Sequence, residues 1–77
     1  MNEPKWRNIH GSAWVLGNEG PRAPGAVILR RPEGSYRVVV GYNLRQFRTD
    51  ADRVADAVFD TLEEAQNFGM LVFKQYI

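Results

Sequence analysis

Cysteine is absent, and histidine occurs once, as His10. No disulfide can staple the chain, and the usual tetrahedral zinc site, built from cysteine and histidine, has no ligand set. Long apolar runs are missing too. The longest hold four residues, as in Ala26 to Leu29 and Met70 to Phe73, against the ~20 that a membrane-spanning helix requires. The opening stretch Met1 to Arg7 has no hydrophobic segment of signal-peptide length, so a cytoplasmic protein is expected. Charge of one sign is also lacking. Ten Lys+Arg stand against nine Asp+Glu, a formal +1, which argues against a strongly basic coat for non-specific nucleic-acid binding.

Catalytic signatures are equally scarce. There is no G-x-S-x-G, no cysteine nucleophile and no H-E-x-x-H. Gly20 to Gly25 has P-loop spacing, but Ala26-Val27 follows where a lysine and a hydroxyl residue must stand. Gly17-Asn18-Glu19-Gly20 matches the G-x-x-G of an RNA clamp in form only, since it follows a strand-like run and carries an acid. Asp50, Asp52, Asp56 and Asp60 lack the glycine and terminal glutamate of a calcium loop, and read as a solvated loop with helix-capping acids. His10 has no second histidine to work with. The expectation is a non-enzymatic protein with no cofactor, no metal, no small-molecule substrate and no membrane partner.

What is present suffices for a fold. Seventy-seven residues make one domain, whose folding buries only about 60% of the unfolded surface. An apolar fraction of 44% with nine aromatic residues supports a packed core rather than a disordered tail. Residues 1–25 read as an extended N-terminal arm with one short strand near Ser12 to Leu16. The glycine- and proline-rich stretch Gly17 to Gly25 is a loop. Ala26 to Arg31 and Tyr36 to Tyr42, rich in Val, Ile and Tyr, are the clearest strands of a sheet expected within 26–59.

Their connection, Pro32-Glu33-Gly34-Ser35, has hairpin chemistry. A two-residue loop, Glu33-Gly34, pairs Arg30 with Arg37 and Ile28 with Val39. A three-residue loop, Glu33 to Ser35, pairs Arg31 with Arg37 and Leu29 with Val39. Either register sets an arginine opposite Arg37, an unfavourable pair unless an anion or carboxylate intervenes.

Leu44 to Ala55 is ambiguous. Thr49 to Asp52 is a possible cap for a helical turn, and Ala57 to Phe59 a possible short third strand. A single long helix from Asp50 onward is the rival. Thr61-Leu62-Glu63-Glu64 is a capping box that favours a separate helix from about Leu62 to Gln75. Leu62, Ala65, Phe68, Gly69, Val72 and Tyr76 then share one face with Phe73 at its edge, while Met70 and Leu71 lie outside that stripe. The predicted class is α+β: a small antiparallel sheet of three to four strands packed against one C-terminal helix, 61–76.

Two stretches carry a family likeness. Arg30-Arg31-Pro32-Glu33-Gly34-Ser35-Tyr36, continuing Arg-Val-Val-Val, and the later Phe59-Asp60-Thr61-Leu62-Glu63-Glu64-Ala65 resemble the AP2/ERF-type DNA-binding domain over about residues 27–73. The resemblance implies a three-stranded sheet on one helix that reads DNA with its outer face. Departures stand at Leu29, Glu33 and Val39, where that family places an arginine, a tryptophan and a glutamate. Arg31 alone of the expected DNA-contacting set keeps a matching position. A DNA-binding face would use Arg30, Arg31, Arg37, Arg45 and Arg48.

The outer sheet face suggests a different partner. Val38, Val40, Tyr36 and Tyr42 turn inward, which leaves Arg37 and Val39 outside. The unbroken Val27-Ile28-Leu29 puts aliphatic bulk outside in any register. An apolar centre rimmed by arginine is the anatomy of a protein contact. Arg37 and Val39, with Met70 and Leu71 as a second patch, are therefore the candidate protein-binding residues. The partner is another protein or a second copy, and a small inhibitor or adaptor of phage or mobile-element origin fits this pattern. Alternatively, residues 1–25, with Trp6 and Trp14, fold over that face and close it.

Overall fold

The computed structural model describes residues 5–17, 24–42 and 53–76, Tyr76 by its backbone only. Five strands and one helix follow in order: β1 Arg7–Ile9, β2 Ala13–Gly17, β3 Pro24–Arg30, β4 Tyr36–Tyr42, β5 Arg53–Phe59 and α1 Leu62–Tyr76. Each strand pairs antiparallel with the next, so the sheet order is β1-β2-β3-β4-β5. The class is α+β as expected, but the sheet has five strands rather than three or four. The strand not expected is β1, from the supposed arm; the possible short strand at Ala57 to Phe59 is present and begins earlier, at Arg53, where a long helix from Asp50 would have run. The suggested cap at Thr49 to Asp52 lies outside the described residues.

The hairpin adopts neither expected register. Arg30 faces Tyr36, Leu29 faces Arg37, Ile28 faces Val38 and Val27 faces Val39. The reason is the loop, which is Pro32-Glu33-Gly34. Gly34 N–H donates to the Arg31 carbonyl at 2.9 Å, and Arg31 N–H donates to the Ser35 carbonyl at 2.8 Å. Proline suits the first loop position, where its fixed φ starts the turn, and Gly34 takes the left-handed φ of 95° that ends it. A leucine therefore lies opposite Arg37, and the like-charge pair does not arise.

Helix α1 covers one face of the sheet. Leu16, Ala26, Ile28, Val38 and Val40 meet Ala65 and Val72 there. Trp6 and Trp14 pack against this same cluster, and Trp14 sits edge-on to Tyr36 with ring centroids 5.8 Å apart. The tryptophans thus thicken the helix-side core and do not cover the outer face. The reason is parity: Trp14 pairs with Ile28, so it shares the inward side with Ile28 and Val38. Met70 is also part-buried against this core, a correction to its placement outside the stripe. Gly69 is where the helix comes closest, since a Cβ there would lie 2.9 Å from the Trp6 ring and 3.2 Å from Val38 Cγ1.

The helix begins where the capping box predicts. Glu64 N–H donates to Thr61 Oγ1 at 3.2 Å, and the Thr61 hydroxyl donates to Glu64 Oε1 at 2.9 Å. Glu63 and Glu64 in the first turn and Lys74 in the last match the helix dipole.

Gly69→Ala is expected to lower stability, because overpacking of about 1–3 kcal/mol exceeds the ~1 kcal/mol gained in helix propensity. In a Trp6→Ala background the obstructing ring is gone, and the same change should lose most of its penalty. A double-mutant cycle from urea unfolding measures the coupling.

Candidate functional site

Alternation along each strand builds the outer face. Two rows cross all five strands there. The first runs Ile9, Ala13, Leu29, Arg37, Val58, and the second runs Arg7, Val15, Val27, Val39, Asp56. Val15, Val27 and Val39 form a cluster of their own, separate from the helix-side core. Val39 is only 2% exposed, so it acts as the buried floor of the face. Of the two rows, the first holds the accessible aliphatics, Ile9 at 40%, Leu29 at 38% and Val58 at 47%, while Val54, also 38% exposed, lies outside both rows at the irregularity of β5. Ile9, Leu29 and Val58 occupy alternate strands, about 9.6 Å apart.

Asp56 organises the charged end of this face. Its Oδ1 accepts from Arg37 Nε at 2.9 Å and its Oδ2 from Arg37 Nη2 at 2.5 Å, a bidentate pair of the strong kind. Arg53 Nη1 adds a bond to Oδ2 at 3.1 Å. The pKa of Asp56 is held below the ordinary aspartate value. The Arg37 hydrogen bond is the main cause, aided by the charges of Arg37 and Arg53, while desolvation pushes the other way. The acidic series is thus not purely a solvated loop: Asp56 is a structural ion-pair centre. Asp50 and Asp52 lie outside the described residues.

The sheet's two edges are blunted. β1 is three residues long. β5 departs from regular pairing where Val40 meets Ala55 and Gly41 meets Arg53, and it carries charge at Arg53 and Asp56. Short, bulged and charged edges resist strand addition.

The expected site residues separate. Arg37 and Val39 share the outer face. Met70 and Leu71 are on the helix across the sheet, and of these only Leu71, 64% exposed, is open. Among the proposed DNA-contacting arginines, Arg31 pairs with Glu33 at 2.9 Å in the turn. Arg30, opposite Tyr36, belongs to the helix side. Arg45 and Arg48 lie outside the described residues. His10 is exposed in the β1–β2 turn with a φ of 55°, a conformational role. Among the described residues, no three His, Cys, Asp or Glu side chains are placed to hold a metal ion, and no helix is long and apolar enough to cross a membrane.

The common placement of Ile9, Val58 and Asp56 on the outer face escaped the sequence reading. The signal was the alternation Val54-Ala55-Asp56-Ala57-Val58, masked because small alanines on the inward side give little contrast with outward valines. Comparisons with protein-family models, curated proteins and solved structures return no match.

The depressed pKa of Asp56 fixes a sign. Its contribution is present above the unfolded aspartate pKa of about 4 and is lost as pH falls through the lower folded value. Asp56→Asn should therefore lower the urea midpoint at pH 7 and narrow the gap to wild type in the acid range below about 4. A gap that stays constant with pH would remove the ion pair from the stability of the sheet.

Proposed function

We propose that the chain is a non-enzymatic protein-binding module whose contact surface is the outer sheet face, centred on Leu29. The observation that carries this reading is the first row: exposed Ile9, Leu29 and Val58 aligned across the sheet. A face meant only for water would place polar side chains at those positions. Here aliphatics are set over a valine floor and bordered by Arg7, Arg37 and Arg53, the order of apolar centre and polar rim that protein contacts favour. Arg37 is pre-positioned by Asp56, so less side-chain freedom is lost when a partner covers it. Leu71 on the helix is a lone exposed aliphatic, common on any surface, and is not needed for the reading.

The AP2-like DNA reading gets less support. It requires free arginines to converge on one face, whereas Arg30 turns to the helix side, Arg31 is paired with Glu33 and Asp56 would bring a carboxylate toward the phosphates.

Leu29→Asp and Val58→Asp place a charge at exposed positions, so both should fold with unchanged circular dichroism. Affinity capture from the source cell should retain a protein on the wild type that both variants release. Partners held equally by wild type and both variants would overturn the choice of face. Duplex DNA is the counter-test: about four phosphate contacts would give a slope near −3.6 in log K against log salt, and binding of that kind would replace this reading with the DNA one.

A further inference from the structure

We propose that residues 5–9 form a strap that detaches as a unit, with Trp6 as its latch, while β2 to β5 and α1 stay folded. Opening bares the edge of β2. This device is independent of the reading of the outer face.

Burial singles the strap out. Of residues 5–9 only Trp6 is not exposed. By contrast, β3 and β4 each bury four residues, and β2 buries Val15 and Leu16. The hold on an element follows the apolar surface it buries, so the strap depends on one side chain. Its two side-chain bonds add little. Arg7 Nη2 donates to the Gly17 carbonyl at 2.6 Å, and Asn8 Nδ2 to the Ala13 carbonyl at 3.2 Å. Both bonds are exposed, and water replaces such bonds at small net cost.

The latch has a seat made for it. Gly69 lies inside α1, where glycine is a poor helix former. A Cβ there would come within 2.9 Å of Cη2 and Cζ2 of Trp6, and 3.2 Å from Val38 Cγ1. The ring thus occupies the space that any side chain at position 69 would need. Glycine gives up helix propensity and gains a seat for the ring.

The hinge is at the other end of the strap. Ile9 pairs with Ala13, which leaves His10, Gly11 and Ser12 as the loop. His10 has a φ of 55° and Gly11 one of 75°. A positive φ is uncommon for a residue with a side chain, so opening lets His10 leave a conformation that the closed turn imposes.

What the strap covers gives the opening its consequence. β2 reads Ala-Trp-Val-Leu-Gly, without a charge. A very short strand over such an edge hides its backbone from other extended chains. The strap is therefore a gate on β2, and the fit of one ring against one glycine sets how often it opens.

Native-state hydrogen exchange of the full chain, followed by NMR in rising urea, reads the opening directly. The β1 amides should exchange through an opening that depends weakly on urea. The amides of β3 and β4 should be protected at least tenfold more and follow the steep slope of global unfolding. Trp6→Ala should fold and should cut β1 protection at least tenfold. Gly69→Ala, which pushes the ring off from the helix side, should lower it in the same direction. Added to Trp6→Ala, it should change β1 protection no further. Wild-type β1 amides that exchange only with global unfolding would overturn the proposal. So would β1 protection that Trp6→Ala leaves unchanged, since the strand would then fray without its latch. A Trp6→Ala chain that fails to fold would overturn it too, because the rest of the fold must stand with the latch gone.

Discussion

One helix can cover only one face of a five-stranded sheet, and the rest of this molecule follows from that limit. α1 is fifteen residues long, about 22 Å at 1.5 Å per residue. It takes the face bearing Leu16, Ile28, Val38 and Val40. Both tryptophans add to this side because strand parity points them there. What is left on the other side is a valine floor and a row of exposed aliphatics, in a chain with no cysteine to staple a thin core.

Asp56 makes that second face specific. Without it, Arg37 would lose the bidentate contact that fixes its guanidinium beside Leu29 and Val58. The bidentate bond holds the guanidinium flat at one end, so the aliphatics stay accessible and the charge is localised. The same contact ties β4 to β5, nineteen residues apart in sequence. On the reading proposed above, a structural ion pair and the border of the contact surface are one interaction, which is why its acid titration would bear on both.

Much of this was legible from residues alone. The β4 bounds, the capping box and the start of α1 follow from strong local signals: β-branched runs, Thr61 with Glu64, and the 3.6-residue stripe. The inward set Tyr36, Val38 and Val40 followed from parity. The misses have definite causes. β1 is three residues of mixed polarity, too short for any period to show. β5 alternates valine with alanine, so both its faces look apolar and helical spacing fits Ala51, Val54 and Val58 equally well. The hairpin register turned on whether Pro32 begins the loop, a one-residue question that backbone hydrogen bonds decide and hydrophobicity does not. Met70 was misplaced because the helix's buried sector is wider than one stripe.

The meander order has a consequence for how the chain reaches this structure. Every strand pairs with its sequence neighbour, so each pairing closes a short loop before the next begins. Loop-closure entropy grows only as the logarithm of length, and the three-residue Pro32–Gly34 loop is among the least demanding in the sheet. β3 and β4 can therefore zip first, with β2 and then β1 added on one side and β5 on the other across the longer 43–52 connection. Helix α1 gains its binding surface only once Val38 and Ile28 are aligned. Pairing between sequence neighbours shortens the time in which unpaired strands are exposed. For a sequence with apolar residues on both sides of its sheet, fast closure is a safeguard against aggregation during synthesis.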